Sequence, residues 1–254
     1  MAKFQAFSIF GLLATVSARD VPDNVRNLYD SIVNQGQGEC QYELQGGFLS
    51  ADDGEYSYGY CGDHLDSSGI IYLQGKGGNL ANMDIDCDGI ANGAGDDGRC
   101  GNSEDTQYQT AFQYTVSSYS NGVSDLNAYV HDYIVFGNYG SADGYTTFDP
   151  QEYGVKPLSI GAVVCGDKLV YGVWGDTNGD DGNPLVGEAS ISLATRCFGT
   201  DVNGNSGYDG QDVLYIFFTG DDAVPGEQAD WQADSSDAFQ DSLQTIGDRL
   251  IANL

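Results

Sequence analysis

From about residue 70 to residue 219 the chain breaks into short β-prone runs, each closed off by Gly, Asp or Asn, and this punctuation constrains its fold more than any other feature. The runs are Ile70–Gln74, Gln109–Ser117, Tyr129–Gly137, Gly161–Cys165, Lys168–Trp174 and Val213–Thr219. Strands of this length between turn formers predict an antiparallel sandwich or a small barrel. The clearest hairpin joins Gly161–Cys165 to Lys168–Trp174 through Gly166 and Asp167, a pair suited to a two-residue tight turn. Glu188–Phe198 shows no clean alternation and could be helical.

Helical spacing flanks this region. Val25, Leu28, Tyr29, Ile32 and Val33 follow Pro22 and Asp23, with Gly36 and Gly38 as stop signals. Phe239, Leu243, Ile246, Leu250 and Ile251 follow the cap-like stretch Asp234 to Asp237. The expected fold class is mainly β (α+β): a single-domain β-barrel or sandwich with an N-terminal and a C-terminal amphipathic helix.

The first eighteen residues carry Lys3, an apolar run and small residues at Val16 and Ala18, the pattern of a secretory signal peptide. The run is shorter than the roughly 20 apolar residues of a membrane span. Residues 1–18 are therefore expected to be removed, leaving 19–254 as one domain that acts outside the cell as a monomer. Six cysteines in an oxidising compartment favour three disulfides. Fifteen pairings are possible and spacing does not choose among them. The Gly/Asp-rich loop between Cys87 and Cys100 favours that pair, and Cys165–Cys197 and Cys40–Cys61 complete the expected set.

Charge narrows the partners. Asp and Glu number 38 against 9 Lys and Arg, a formal net charge of −29. Such a surface repels nucleic acid and anionic membranes and attracts polycations. The same surplus also keeps an acidic protein soluble, so charge alone leaves both readings open.

The stretch Tyr171 to Ala194, YGVWGDTNGDDGNPLVGEASISLA, holds the candidate chemistry. Asp176 and Glu188 stand on either side of a Gly/Asn/Pro turn, and two opposed carboxylates are the working parts of glycoside hydrolysis. Alternation along the strand would place Trp174 and Asp176 on one side, an aromatic face beside an acid suited to a sugar ring. The competing reading buries Trp174 and leaves Asp176 to shape a turn. A calcium loop is a further alternative: Asp176, Asn178 and Asp180 occupy its first, third and fifth positions, but the required Gly and closing acid each fall one place late. Asp84, Asp86, Asp88 and Gly89 fit better at the start, though the closing acid is again displaced, and Asp201, Asn203 and Asn205 form a third such run. In an extended segment, Asp84, Asp86 and Asp88 would share one face, a ladder suited to ammonium groups. His64 and His131 have no nucleophile or acid at useful spacing and read as structural. No serine-hydrolase elbow, phosphate loop or zinc-protease helix is present.

With these residues in view, the run VVCGDKLVYGVWGDTNGDDGNPLVGEASISLATRCFG, with DIDCDG upstream and DVNGNSGYDGQDVLYIFFTG downstream, resembles the secreted fungal chitosanases of glycoside hydrolase family 75. The likeness covers about Cys40 to Gly220. It implies internal cleavage of β-1,4 bonds in chitosan, with inversion; no cofactor or metal is expected. It places the essential Asp of the Trp-Gly-Asp-Thr-Asn-Gly motif at Asp176 and the essential Glu of the Gly-Glu-Ala-Ser motif at Glu188. On this reading Glu188 is the general acid, Asp176 the general base, and their carboxyl groups stand about 6.5–9.5 Å apart. Trp174, Asp84, Asp86, Asp180 and Asn178 would hold the neighbouring sugars. The alternative is a non-catalytic secreted carbohydrate- or calcium-binding module.

Overall fold

The computed structural model describes residues 18–35, 39–101, 103, 106–119, 122–180 and 182–254. Nearly all of the expected signal segment, and the stop signals Gly36 and Gly38, lie outside the described residues. In chain order the main elements are β1 (Arg19–Asp20), α1 (Asp23–Val33), β2 (Glu43–Phe48), β3 (Tyr58–Cys61), α2 (Leu65–Ser68), β4 (Ile70–Gly75), β5 (Ala81–Asp86), α3 (Gln113–Tyr119) and β6 (Tyr133–Asn138). After these come β7 (Ile160–Cys165), β8 (Lys168–Asn178), β9 (Glu188–Ser190), α4 (Ile191–Phe198), β10 (Tyr208–Phe218) and α5 (Ser236–Ile251).

The ten strands form one mixed sheet in the order β1-β8-β6-β9-β5-β10-β4-β3-β2, and β7 pairs with both β8 and β10. The sheet thus folds back on itself around a single buried cluster, a sandwich-like β-rich arrangement. The purely antiparallel sheet expected from the turn spacing is corrected here, because β5–β9 and β6–β8 run parallel. Turn spacing reports hairpins, whereas these two pairings are made across long stretches of intervening chain.

The β7–β8 hairpin forms as expected, with Cys165 opposite Lys168 and Gly166 at φ +64° in the turn. Gln109–Ser117 does not form a strand; α3 occupies its second half. The segment before α3 is held by other contacts: Thr110 gives its N–H and its hydroxyl to Asp125, and the Ala111 N–H goes to Asp176. Those bonds override a β-prone sequence by removing its ladder donors. Tyr129–Gly137 becomes a strand only from Tyr133.

α1 buries Val25, Leu28 and Ile32, and α5, capped by the Ser235 hydroxyl, buries Phe239, Leu243, Ile246, Leu250 and Ile251. α4 and α5 are tied together by a buried network. Arg196 pairs with Asp132 at 2.8 Å and also binds Ser236, while Gln240 donates to Asp132. Disulfides join Cys40–Cys61, Cys87–Cys100 and Cys165–Cys197, the three expected pairs. Closing loops of this size stabilises a fold by about 3 kcal/mol each in the chain-entropy account.

Candidate active site

β8 is straight as far as Trp174 and then takes in one extra residue. Trp174 stands opposite Ile134 of β6, but Asp176 stands opposite Val135, so Gly175 is the unpaired residue of a bulge. Only glycine fits there: a Cβ would lie 2.5 Å from Tyr133 Cβ and 2.6 Å from Leu126 Cδ1. The bulge separates two side chains that simple alternation would have kept together. Trp174 is 2% exposed, packs edge-on against Phe112 at 4.8 Å and donates its indole N–H to the Asp176 carbonyl. The expectation that Trp174 and Asp176 face one space is thereby corrected. The carboxylate enters one cavity and the indole lines the next depression.

The register carries the site across the sheet. Asp176 is opposite Val135, Val135 is opposite Glu188 of β9, and Glu188 is opposite Asp84 of β5. Directly opposed residues share a face, so these four form one row across four strands. Asp176 and Glu188 are two strand spacings apart, about 9–10 Å between backbones. Both line a cavity of about 220 Å³, together with Asp86, Asp88, Gln107, Thr110 and Asn178. Asp84 lies beyond this cavity on the same row.

Three of the acids converge. Asp86, Asp88 and Asp176 each bring a carboxylate oxygen within 4.8 Å of the others. Asp86 accepts the Asp88 N–H at 2.6 Å, and Asp88 accepts the Gln107 N–H at 2.5 Å. Asp176 Oδ1 accepts the N–H groups of Ala111 and Thr177, while its buried Oδ2 has no hydrogen-bond partner among the described residues. Burial, followed by the charges of Asp86 and Asp88, raises the Asp176 pKa well above the ordinary carboxylate range, and the two N–H donors offset this only in part. The same three acids, after burial, push up the hydroxyl of Tyr133, which is fully enclosed beside them. The trio offers hard oxygen donors to an ammonium group or to a divalent cation.

The other expected residues separate. Asp84 is held up at about 6, by burial first and then by Asp209 and Asp52, with an Asn82 hydrogen bond opposing. Asn178 lines the cavity and donates to the Leu185 carbonyl. Asp180 turns away and accepts the N–H groups of Ser141 and Ala142, which lowers its pKa. The calcium loop built on Asp176, Asn178 and Asp180 is therefore corrected: those side chains go to different partners. His131 is buried between the Asn127 N–H and the Trp231 carbonyl, and burial lowers its pKa to about 4. From sequence, Asp88 is legible as part of the period-two ladder with Asp84 and Asp86 but not as a partner of Asp176, and Tyr133 carries no signal at all.

The sequence profile described as fungal chitosanase of glycosyl hydrolase group 75 matches residues 83–253. An endo-chitosanase of Aspergillus oryzae is 42% identical over 254 residues, covering 99% of this chain and 98% of the relative. Endo-chitosanase B of the same organism is 44% identical over 246 residues (96% and 95% covered), and an endo-chitosanase of Aspergillus fumigatus is 44% identical over 245 residues with the same coverage. The cavity and its row of carboxylates thus sit within the matched region, and the chain belongs to the group 75 glycosyl hydrolases, the fungal chitosanases.

Proposed function

We propose that this protein hydrolyses β-1,4 bonds within chitosan chains by inversion, with Asp176 as the general acid and Glu188 as the general base. The row Glu188–Val135–Asp176 carries the reading: two carboxyl groups on one face, with one strand between them, leave room for a sugar and a water. The roles are the reverse of those assigned from sequence. Asp176 is enclosed and lies against two other carboxylates, so it holds its proton, and that proton passes to the leaving glycosidic oxygen as the bond to the anomeric carbon breaks. Glu188 takes a proton from the water that attacks the opposite ring face. Asp86, Asp88 and, one position beyond Glu188, Asp84 draw the ammonium groups of the substrate. Trp174 and Asp180 support this site through Phe112 and the Ser141–Ala142 backbone.

Reducing ends released from chitosan test the reading. Asp176→Asn and Glu188→Gln, each with unchanged melting temperature, are expected to lose at least 10²- to 10⁴-fold in rate. Wild-type rates in either variant would overturn it, and a β anomer as first product, read by NMR, would overturn inversion.

The spacing of Asp86, Asp88 and Asp176 supports a second reading, in which the trio holds a divalent cation. It requires the melting temperature to fall on chelation and recover with calcium. We also propose export with loss of residues 1–18, which N-terminal sequencing of the exported protein would show as a chain beginning at Arg19. No helix among the described residues is long and apolar enough to cross a membrane.

A further inference from the structure

Beyond the carboxylates the cavity does not end. Ala111, Thr177, Asn178 and Gly179 wall both it and a second depression of about 240 Å³ floored by Phe148, Pro150 and Trp174. Tyr139, Phe148 and Asp149 in turn wall both that depression and a third, of about 500 Å³, which contains Glu152 and Tyr153. Through these shared walls the three adjoin in a line leading away from Asp176, and among the described residues no Lys or Arg lines any of them.

Tyr139 stands at the junction of the second and third depressions. The residue is 72% exposed, yet its backbone is fixed: its N–H donates to the Asn178 carbonyl at 2.7 Å, and the two residues beyond Gly140 are held by Asp180. A residue so exposed contributes little to packing. On an immobilised backbone beside acids, it has the form of a stacking surface for a sugar whose neighbours carry positive charge.

We infer that this groove is an extended subsite for the chitosan chain on one side of the cleaved bond, with Tyr139 stacking a sugar ring and Asp149 and Glu152 facing ammonium groups beyond it. The inference rests on the chitosanase reading and adds a direction and a length. Binding by this arm favours long substrates, because a short oligomer can fill the cavity without reaching Tyr139.

Steady-state kinetics on chitosan polymer and on short glucosamine oligomers, using the full exported protein, test it. Tyr139→Ala is expected to raise KM for the polymer roughly three- to ten-fold, leave kcat for short oligomers unchanged, and leave the melting temperature unchanged. Tyr139→Phe is expected to restore polymer KM, and Glu152→Gln to weaken polymer binding mainly at low salt. A polymer KM in Tyr139→Ala equal to that of the parent overturns the inference. So does a rise of equal size for polymer and short oligomers, since that marks a disturbed cavity. A parent protein that releases no reducing ends from chitosan defeats the chitosanase reading itself, an outcome distinct from either.

Discussion

At Asp176 three influences act on one proton. Enclosure disfavours the carboxylate form, Asp86 and Asp88 add like charge, and the N–H groups of Ala111 and Thr177 oppose both. If Asp176 is the general acid, its raised pKa sets the alkaline limb of the pH–rate profile, since activity falls once the proton is lost. Asp88→Asn removes one repelling charge and lowers that pKa, so the alkaline limb of kcat/KM moves to lower pH; a limb that stays in place would detach Asp88 from the acid. Asp84 illustrates the same physics through stability. Its folded pKa, about 6, lies above the ordinary value of 3.8, so the folded state binds the proton more tightly. The stability this provides is present at low pH and is lost as pH rises through about 6. Two units correspond to at most about 3 kcal/mol. Asp84→Asn is therefore expected to raise the melting temperature at pH 7 and to change it little below pH 4, a contrast that thermal scans at the two pH values would show. These residue-level environments are poorly legible in sequence. DIDCDG shows that three acids alternate, but nothing in it shows that a residue 90 positions later closes the cluster.

β9 is three residues long and holds Glu188 only because β5 and β6 grip it from either side. Its approach depends on Gly187, at φ +94°, where a Cβ would lie 2.6 Å from Asn82 Oδ1 and 3.0 Å from the Asn82 carbonyl. Gly187→Ala meets both a left-handed backbone and a backbone neighbour that cannot move aside. The expected cost is about 1–3 kcal/mol, seen as a lower melting temperature, together with a fall in kcat larger than for Gly182→Ala, a site with open space around it. Equal kcat in the two variants would show that Glu188 does not depend on this entry. Legibility at this scale follows the range of the contacts. α1, α5 and the β7–β8 hairpin are visible because their periodicity and turn residues are local. The bulge at Gly175 is not, since the residues that demand it, Tyr133 and Leu126, lie more than forty positions upstream. That one inserted residue undid the inferred partnership of Trp174 with Asp176, while leaving Asp176 and Glu188 together.

Over the whole molecule the surplus of acids acts in two directions. A formal charge of −29 repels itself in the folded state and attracts a polycation from a distance, and both effects extend over a Debye length of about 10 Å at 0.1 M salt and about 3 Å at 1 M. The carboxyl groups that act on the glycosidic bond work within a few ångströms of it inside a walled cavity, where salt screens little. Capture of the polymer depends instead on charges spread along the open groove and the surrounding surface. Raising NaCl from about 0.02 to 0.5 M, which shortens the screening length several-fold, should therefore raise KM for chitosan several-fold and leave kcat nearly constant. Steady-state kinetics across that series would show it. If the surplus served only to keep the protein in solution, KM would be flat in salt while aggregation increased. If kcat fell as steeply as KM rose, the screened charges would be those of the cavity itself, and Asp86 and Asp88 would have to be far more open to solvent than their burial beside Asp176 allows.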